Sequence, residues 1–358
     1  MQRRRFLSTL GQAGLAASGT FALASKVSAA AAKPRLRVGQ IGTGHAHADG
    51  KLRALRQSSD YEVVGVVEPD ERLRRLAMTR KDYQGLTWLT EEQLFNTPNL
   101  KAVSVETEVK DLLGAGARCV AAGLHVHLDK PAGESLSEYR RLMDEATARK
   151  LTVQMGYMFR YNPGFEFCFR VARDGWLGRI SGIETVIGKA SPAGERAKIR
   201  PYRGGTMFEL GCHVIDAVIT LLGKPDRVTA HGRHSGDFAD DVLDNQVAIL
   251  EYPHALVTVR SSLIEVAGNV RRQFVVVGNK GTVDLRPLEP PSIRLALEEP
   301  RGEFKQGYQD VRVPSLMRYA ADFDDLARVI RGEKAFAWTP AHDLAVQETV
   351  LRASGLMV

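Results

Sequence analysis

LRVGQIGTGHAHA occupies residues 36–48, a short apolar run that ends in a glycine turn and continues into a helical pattern. Glycine at such a turn lets the backbone bend sharply, so that a pyrophosphate can approach the amide groups and the positive dipole at the start of the helix. A histidine occupies the third glycine position of the usual fingerprint. The stretch therefore predicts the first strand, loop and helix of a Rossmann fold, with a dinucleotide held by Gly42, Thr43, Gly44, His45 and His47.

A second β-branched run, YEVVGVV at residues 61–67, is followed directly by Glu68. A carboxylate at the end of the second strand can accept a hydrogen bond from a ribose 2′-hydroxyl and would repel a 2′-phosphate. The sequence therefore favours NAD over NADP as the cofactor.

Strands and helices continue to alternate as far as Met155, and the strands are apolar throughout. Such strands are typical of a doubly wound parallel sheet that helices cover on both faces. The further strands are expected at residues 101–105, 125–128 and 151–155, and the helices between them at 112–122 and 136–149. We therefore predict an α/β protein whose N-terminal domain, residues 33–156, is a Rossmann domain.

The pattern changes after Ile180, where strands follow one another with few helices between them. A run of strands of this kind predicts an α+β domain with a large open, mainly antiparallel sheet, assigned here to residues 157–315. Its strands are expected at residues 183–187, 227–230, 246–252, 256–261, 274–277 and 282–285. Two helices, 316–329 and 342–356, are expected to pack back on the core from the tail, residues 316–358.

The first 32 residues have the composition of an export signal. Three arginines, Arg3 to Arg5, precede Phe6 and a weakly apolar stretch, which ends in small residues beyond Lys26. This pattern is typical of a cleaved secretory signal and resembles the twin-arginine type, which implies a periplasmic or otherwise exported protein. An amphipathic helix of the mature fold is the alternative for residues 1–32.

Net charge and cysteine content exclude several classes of protein. The chain carries a formal charge of +7, and removal of the four cations of the leader leaves about +3. So small a surplus of positive charge does not indicate binding to nucleic acid or to an anionic membrane surface. No membrane span is expected in the mature form. The three cysteines are too few for a disulfide framework and are interpreted as buried apolar residues: Cys119, Cys168 and Cys212.

Two groups of residues could carry the chemistry. Lys130 lies in Asp129-Lys130-Pro131, at the carboxyl end of the fourth predicted strand, where open α/β sheets bind their ligands. Residues 206–222 read TMFELGCHVIDAVITLL, and as one helix they place Glu209, His213 and Asp216 on a single polar stripe. A carboxylate beside an imidazole suits a general base, while a packed His–Asp pair and an (i, i+4) metal pair are the alternatives.

Two histidine pairs could also suggest a metal, namely His45 with His47 and His125 with His127. Each pair lacks a third ligand nearby in the sequence. We therefore expect packing or cofactor-loop roles for these histidines and predict no metal site.

Together these segments resemble the glucose–fructose oxidoreductase, inositol dehydrogenase and MocA (Gfo/Idh/MocA) family across essentially the whole mature chain. The matching stretches are VGQIGTGHAHA, VVGVVEPD, AAGLHVHLDKP, GYMFRYNP, GGTMFELGCHVID and VVVGNKGTVDLRP. The resemblance implies catalytic roles for Lys130, Glu209 and His213, a cofactor contact from Lys130 and Thr107, and a homo-oligomer through the open sheet. The family often has Thr-Pro after the third strand, where this chain has Thr107-Glu108, so the surroundings of the nicotinamide and substrate are expected to differ.

Three functions follow as hypotheses. In the first, an oxidoreductase acts on a CH–OH group of a sugar, polyol or glycoside: His213 takes the hydroxyl proton, Glu209 orients His213 and Lys130 polarises the oxygen. Because no free nicotinamide pool is expected outside the cytoplasm, NAD would be tightly held. The second is a glycoside-cleaving enzyme that oxidises its substrate transiently, and the third is a non-catalytic nucleotide-dependent sensor. Substrate contacts are expected from Arg160, Tyr161, Tyr202, Arg203 and Asp216.

Overall fold

The computed structural model of the protein describes residues 33–315 and 317–357, so the predicted leader, residues 1–32, lies outside the described residues. From Arg35 onward the described residues pack as one compact unit, which contains two β-sheets. No helix among these residues has the length and apolar character that a membrane crossing requires.

The N-terminal half is a five-stranded parallel sheet, as the sequence predicts, and its strand order is β2-β1-β3-β4-β5. Its strands are buried for most of their length because helices cover both faces. The elements are β1 (Leu36–Ile41), α1 (Ala48–Gln57), β2 (Tyr61–Val67), α2 (Glu71–Met78), α3 (Glu91–Phe95), β3 (Leu100–Val105), α4 (Val109–Ala121), β4 (His125–Leu128), α5 (Leu136–Ala148) and β5 (Val153–Met155).

The second sheet has eight strands in the order β13-β12-β11-β10-β6-β9-β8-β7. Every neighbouring pair is antiparallel except β6 with β9, so the prediction of a mainly antiparallel sheet is confirmed. Its elements are α6 (Pro163–Arg173), β6 (Ile180–Gly188), α7 (Ala193–Ile199), α8 (Cys212–Leu222), β7 (Arg227–Arg233), β8 (Asn245–Glu251), β9 (Leu256–Ser262), α9 (Gly268–Arg271), β10 (Gln273–Gly278), β11 (Gly281–Leu288), β12 (Pro291–Leu297), β13 (Gly307–Val311), α10 (Ala320–Ile330) and α11 (Pro340–Ala353).

One face of this sheet is buried and the other is open. Alternate residues of β8 and β9, such as Ala248 and Val257, are fully buried, and α6, α8 and α11 pack against that side of the sheet. Residues of the opposite face, among them Leu256 and Arg260, are exposed. An alternation of this kind is typical of an antiparallel sheet with one side left uncovered within the chain.

The helix predicted over residues 206–222 is present but contains a π-helical turn, Met207–Gly211, which continues directly into the α-helix α8 at Cys212. A π turn contains more residues than an α turn, so it changes the direction of the side chains on one side of it relative to the other. Glu209 lies within this π turn, whereas His213 and Asp216 lie in α8 and are buried, and no hydrogen bond joins Glu209 to either of them among the described residues.

Candidate active site

The glycine loop approaches the end of the third strand very closely. Gly42 has a φ of +89°, and a Cβ at this position would lie 2.4 Å from the backbone nitrogen of Thr107. Any side chain at residue 42 would therefore be both strained and in collision. This contact places Thr107 beside the loop, where the family resemblance led us to expect it.

Glu68 lies beside the same loop, at the end of β2. Its Oε2 accepts hydrogen bonds from the Thr43 amide at 2.7 Å and the Thr43 hydroxyl at 2.9 Å, and its Oε1 accepts from the Asp70 amide. The predicted ribose-binding carboxylate therefore also holds the glycine loop against the second strand, a role that sequence reasoning missed.

A cavity of about 860 Å³ opens between the ends of β2 and β3. It has the position that the adenosine half of a dinucleotide takes in a Rossmann fold, outside the carboxyl ends of the strands. The residues fit this group because carboxylates from the ends of β2 and β3 line the cavity, and because Gly42, which contacts the lining residue Thr107, has no side chain. The lining includes Glu68, Asp70, Leu73, Arg74, Thr107 and Glu108.

Lys130 and Glu209 form the central ion pair of the site. The Nζ of Lys130 donates to the Glu209 carbonyl oxygen at 2.9 Å and lies 3.2 Å from Glu209 Oε1. Burial disfavours both charges, yet the attraction between the pair outweighs burial: the pKa of Lys130 is raised and that of Glu209 is lowered. Lys130 is therefore a fixed cation at the end of β4.

His213 lies near this pair without being oriented by it. Its ring packs among Tyr157, Phe159 and His47, and its Nδ1 is buried with no hydrogen-bond partner among the described residues. Burial, helped by the nearby Lys130 cation, lowers its pKa well below the usual value, so the ring is neutral. No hydrogen bond joins Glu209 to His213 among the described residues, and the Glu209 carboxylate lies against Lys130 instead.

Asp129 is the central member of a buried network of charged and polar groups next to Lys130. Its Oδ1 accepts from the Lys130 amide at 2.7 Å, and the ring Nδ1 atoms of His45 and His47 lie 2.7 and 3.2 Å from its two oxygens. The Nζ of Lys51, a fully buried residue of α1, lies 2.8 Å from Asp129 Oδ2. The network is nearly neutral as a whole, which makes its burial tolerable.

Sequence reasoning missed Lys51, although a signal was present. Lys51 shares the buried stripe of α1 with Ala48, Leu52 and Leu55. A charged residue on such a stripe requires a buried partner, which here is Asp129, with Glu106 at 3.4 Å.

The structure supplies the third ligand that the His45–His47 pair lacked, since Asp129 brings all three sets of ligand atoms within 4.8 Å. However, the Lys51 ammonium already neutralises Asp129 at this point, so the arrangement fits an ion-pair network better than a metal. In the other pair, His125 and His127 have different partners. The His127 ring is hydrogen-bonded to Gln154 in the core, and the His125 ring accepts a hydrogen bond from the Thr152 amide. These contacts are consistent with the packing roles expected for His125 and His127.

Arg160 and Asp216, two predicted substrate residues, are buried in a bidentate ion pair. Arg160 Nη2 lies 2.6 Å from Asp216 Oδ1 and 2.5 Å from Asp343 Oδ1, and all three side chains are at most 1% exposed. Arg160 also lines a cavity of about 710 Å³, and its Nη1 has no hydrogen-bond partner among the described residues, so the substrate role of Arg160 stays a prediction.

Two of the other substrate candidates are held by neighbours through their hydroxyls, whereas the third, Arg203, has an exposed side chain. The Tyr161 hydroxyl donates to Asp325, the Tyr202 hydroxyl accepts from the Lys110 amide at the start of α4, and the Arg203 amide donates to Glu134. The structure does not bring these three side chains into contact with Lys130 or His213.

Asp322, at the start of α10, gives the site a testable pH dependence. Burial raises its pKa to about 7 from the usual 3.8, with Lys51 opposing the shift, and its Oδ1 has no partner among the described residues. Because the folded-state pKa is the higher one, its contribution to stability is complete below about pH 4 and is lost as the pH rises through 7. We expect Asp322→Asn to raise Tm at about pH 8 and to raise it clearly less at about pH 5.

Thermal unfolding of both proteins at the two pH values tests this expectation. Asp237→Asn, at an exposed carboxylate, is the matched control. Equal Tm differences at both pH values for Asp322→Asn would show that this carboxyl does not titrate in the expected range.

Comparison with known proteins places this site in a family. Residues 36–157 match the oxidoreductase family with the NAD-binding Rossmann fold, and residues 168–284 match the GFO/IDH/MocA C-terminal domain. Among curated relatives, the uncharacterized oxidoreductase YdgJ of Escherichia coli is 26% identical over 79% of this chain and 80% of its own length. Human trans-1,2-dihydrobenzene-1,2-diol dehydrogenase is 26% identical over 61% of this chain, a match that spans 65% of that enzyme.

Solved structures show the same fold. GenD2 from gentamicin A biosynthesis, in complex with NAD, has a TM-score of 0.73 at 23% identity and covers 90% of this chain and 95% of its own. The aldose-aldose oxidoreductase of Caulobacter crescentus has a TM-score of 0.74 at 19% identity and covers 90% and 98%. The two family matches together span about two thirds of the chain, which therefore belongs to the GFO/IDH/MocA family of oxidoreductases.

Proposed function

We propose that the protein oxidises a CH–OH group of a sugar, polyol or glycoside, or reduces the corresponding carbonyl, with NAD as its cofactor. The observation that carries the proposal is the buried Lys130–Glu209 ion pair beside a neutral His213, at the sheet edge where the glycine loop lies. The names of relatives support the substrate class, since they include a dihydrodiol dehydrogenase and an aldose-aldose oxidoreductase.

Each of the three residues has a distinct task in this proposal. The Lys130 ammonium donates a hydrogen bond to the substrate oxygen and stabilises the negative charge that develops on it. His213, neutral because it is buried, accepts the hydroxyl proton. Glu209 holds Lys130 charged and in place rather than orienting His213. The nicotinamide, when bound, accepts or returns the hydride.

The choice of NAD rather than NADP rests on Glu68 and Asp70. Both carboxylates line the cavity proposed for the adenosine ribose, where they would repel a 2′-phosphate. The complex of GenD2 with NAD is consistent with this choice.

Two further parts of the proposal concern location and assembly. The arginine-rich leader supports export by a twin-arginine route, and the cofactor would then have to travel with the folded protein and be regenerated on a second substrate. The open face of the eight-stranded sheet, which carries Leu256 at 62% exposure, is the surface proposed for a homo-oligomer.

The nucleotide that accompanies the purified protein is the most direct test. We expect extraction and mass spectrometry to find NAD or NADH, and we expect the protein without added nucleotide to turn over at least one member of a panel of sugars, polyols and glycosides. Repeating the panel with added NADP after the bound nucleotide is removed tests the preference. A protein that binds neither nucleotide and converts nothing in the panel would contradict the proposal.

A further inference from the structure

The cavity of about 710 Å³ that Arg160 lines lies between α6, the start of α11 and the end of β13. Among the described residues that line it, none is Lys130, Glu209 or His213. The ring of Tyr157 contacts both regions, since its centroid lies 5.0 Å from the guanidinium carbon of Arg160 and 6.3 Å from the ring centroid of His213. The cavity is therefore separate from the candidate active site.

Aromatic side chains form much of the lining of this second cavity. Phe167 is buried, while Phe169, Phe304 and Trp338 are half-buried and so keep part of a ring accessible. The Trp338 ring is held in place because it stacks near a cation: its centroid lies 4.8 Å from the guanidinium carbon of Arg160. Partly accessible rings of this kind favour a ligand that has an apolar, ring-shaped face.

Arginines occupy the exposed part of the lining, namely Arg170, Arg173 and Arg312. Arg173 has Asp174 at 3.7 Å, whereas the structure gives no ion pair for Arg170 or Arg312 among the described residues. The guanidinium carbon of Arg170 lies 5.2 Å from the centroid of the Phe167 ring, which holds this cation beside the cavity. Arginine binds a carboxylate through two parallel hydrogen bonds, so two unpaired guanidinium groups at one cavity favour an anionic ligand.

Two carboxylates, Glu166 and Glu303, also line the cavity, and neither has an ion pair in the described part of the chain. Glu166 lies one turn before Arg170 on α6, yet these two side chains do not pair. A carboxylate accepts hydrogen bonds and a hydroxyl donates them, so both glutamates suit a ligand that is rich in hydroxyl groups. The same glutamates would repel a doubly charged phosphate more strongly than a singly charged carboxylate.

We propose that this cavity is a second binding site, which takes a small saccharide that carries a carboxylate, as a uronic acid unit does. The carboxylate binds Arg170 and Arg312, the hydroxyl groups donate to Glu166 and Glu303, and the apolar face of the sugar ring packs on Trp338. A neutral saccharide lacks the anion that the arginines require, and an aromatic acid lacks the hydroxyl groups that the glutamates require. The cavity volume is within the range of about 300–1,000 Å³ that is usual for small-molecule sites.

This inference goes beyond the proposed oxidation and does not depend on it. Binding in the second cavity requires neither the nucleotide nor Lys130, because the candidate active site contributes none of the lining residues named above. The proposal therefore predicts that an acidic saccharide binds the protein whether or not it is converted.

Binding measurements on the purified protein test the proposal directly. The probes are digalacturonate as the acidic saccharide, maltose as the neutral one, phenylacetate as an aromatic acid and inorganic phosphate, each followed by titration calorimetry and by saturation-transfer NMR. We expect saturable binding of digalacturonate. We expect its affinity to exceed that of each other probe by roughly 10-fold or more, as for the loss of one hydrogen bond to a charged group.

Substitutions assign the binding to this cavity. Arg170→Gln and Arg312→Gln change exposed side chains, so both variants are expected to fold, and each should weaken digalacturonate binding by roughly 10-fold while leaving the weak binding of maltose unchanged. Arg140→Gln, at an exposed arginine of α5 that does not line the cavity, is the matched control and should bind like the parent protein. Lys130→Met should also bind digalacturonate like the parent, because Lys130 lies outside the cavity.

The outcomes separate the second site from the proposed oxidation. Equal affinities for digalacturonate and maltose, tighter binding of phosphate, or undiminished binding in a folded double variant of Arg170 and Arg312 each overturn the proposal. Loss of digalacturonate binding in Lys130→Met would place the acid in the candidate active site and likewise overturn it. Digalacturonate binding without turnover of any substrate in the panel would retain the second site and contradict the proposed oxidation, and turnover without such binding would do the reverse.

Discussion

Lys130→Met is expected to lower kcat by about 10²–10³-fold while the protein still binds its nucleotide. The Lys130 ammonium is a buried cation at the end of β4, and it is the group placed to stabilise negative charge on the substrate oxygen. Methionine keeps the length and the apolar stem but removes the charge. Steady-state kinetics on the substrate identified from the panel, with nucleotide binding measured in parallel, gives both quantities.

Removal of the lysine also leaves the Glu209 carboxylate without its partner, so a control is needed. The double variant Lys130→Met with Glu209→Gln removes both charges and should recover the stability lost by the single variant without recovering turnover. Full turnover by the single variant would show that Lys130 has no part in the chemistry.

Arg160→Met is expected to cost about 3–5 kcal/mol in the free energy of unfolding. The substitution leaves Asp216 and Asp343 facing each other in the core without the guanidinium that joins them. Of these two buried carboxylates only Asp216 keeps another partner, the His342 ring nitrogen at 3.2 Å. Such a pair is strongly destabilising, and many domains have little more stability than this to lose. Urea unfolding of the variant and the parent protein measures the difference.

Arg53→Met is the matched control, because Arg53 pairs with Asp82 at the surface and is more than half exposed. Its loss should cost less than about 1 kcal/mol. An unchanged stability for Arg160→Met together with a raised KM would instead support the substrate role that the sequence suggested for Arg160.

The Rossmann half could be predicted almost completely because local signals determine it. Apolar strands, glycine turns and helix periodicity follow one another along the chain, and β4 and α5 begin at the residues expected. In the second half, β12 and β13 were missed. Ile293, Leu295 and Leu297 do alternate into the core, but prolines and charged residues surround that short run and obscure it.

The sequence predicts which residues form the candidate site better than it predicts which of them contact one another. Lys130, Glu209 and His213 do lie in one region, yet the partner of Glu209 is Lys130, which is 79 positions away and which helical periodicity cannot reveal. The Asp129 network joins β4 to the glycine loop and to α1, residues about 80 positions apart. Long-range electrostatic pairing of this kind follows from the packed fold and not from local spacing.

The buried, unpaired cysteines have a consequence for where the protein can work. Cys119, Cys168 and Cys212 are all free and buried, and burial raises the thiol pKa of Cys168 and Cys212 to about 12. Thiolate is the reactive form, so neither oxidants nor glutathione should readily modify these residues in the folded protein. The same native state should therefore persist in a reducing cytoplasm and in an oxidising compartment, without any change in its covalent structure.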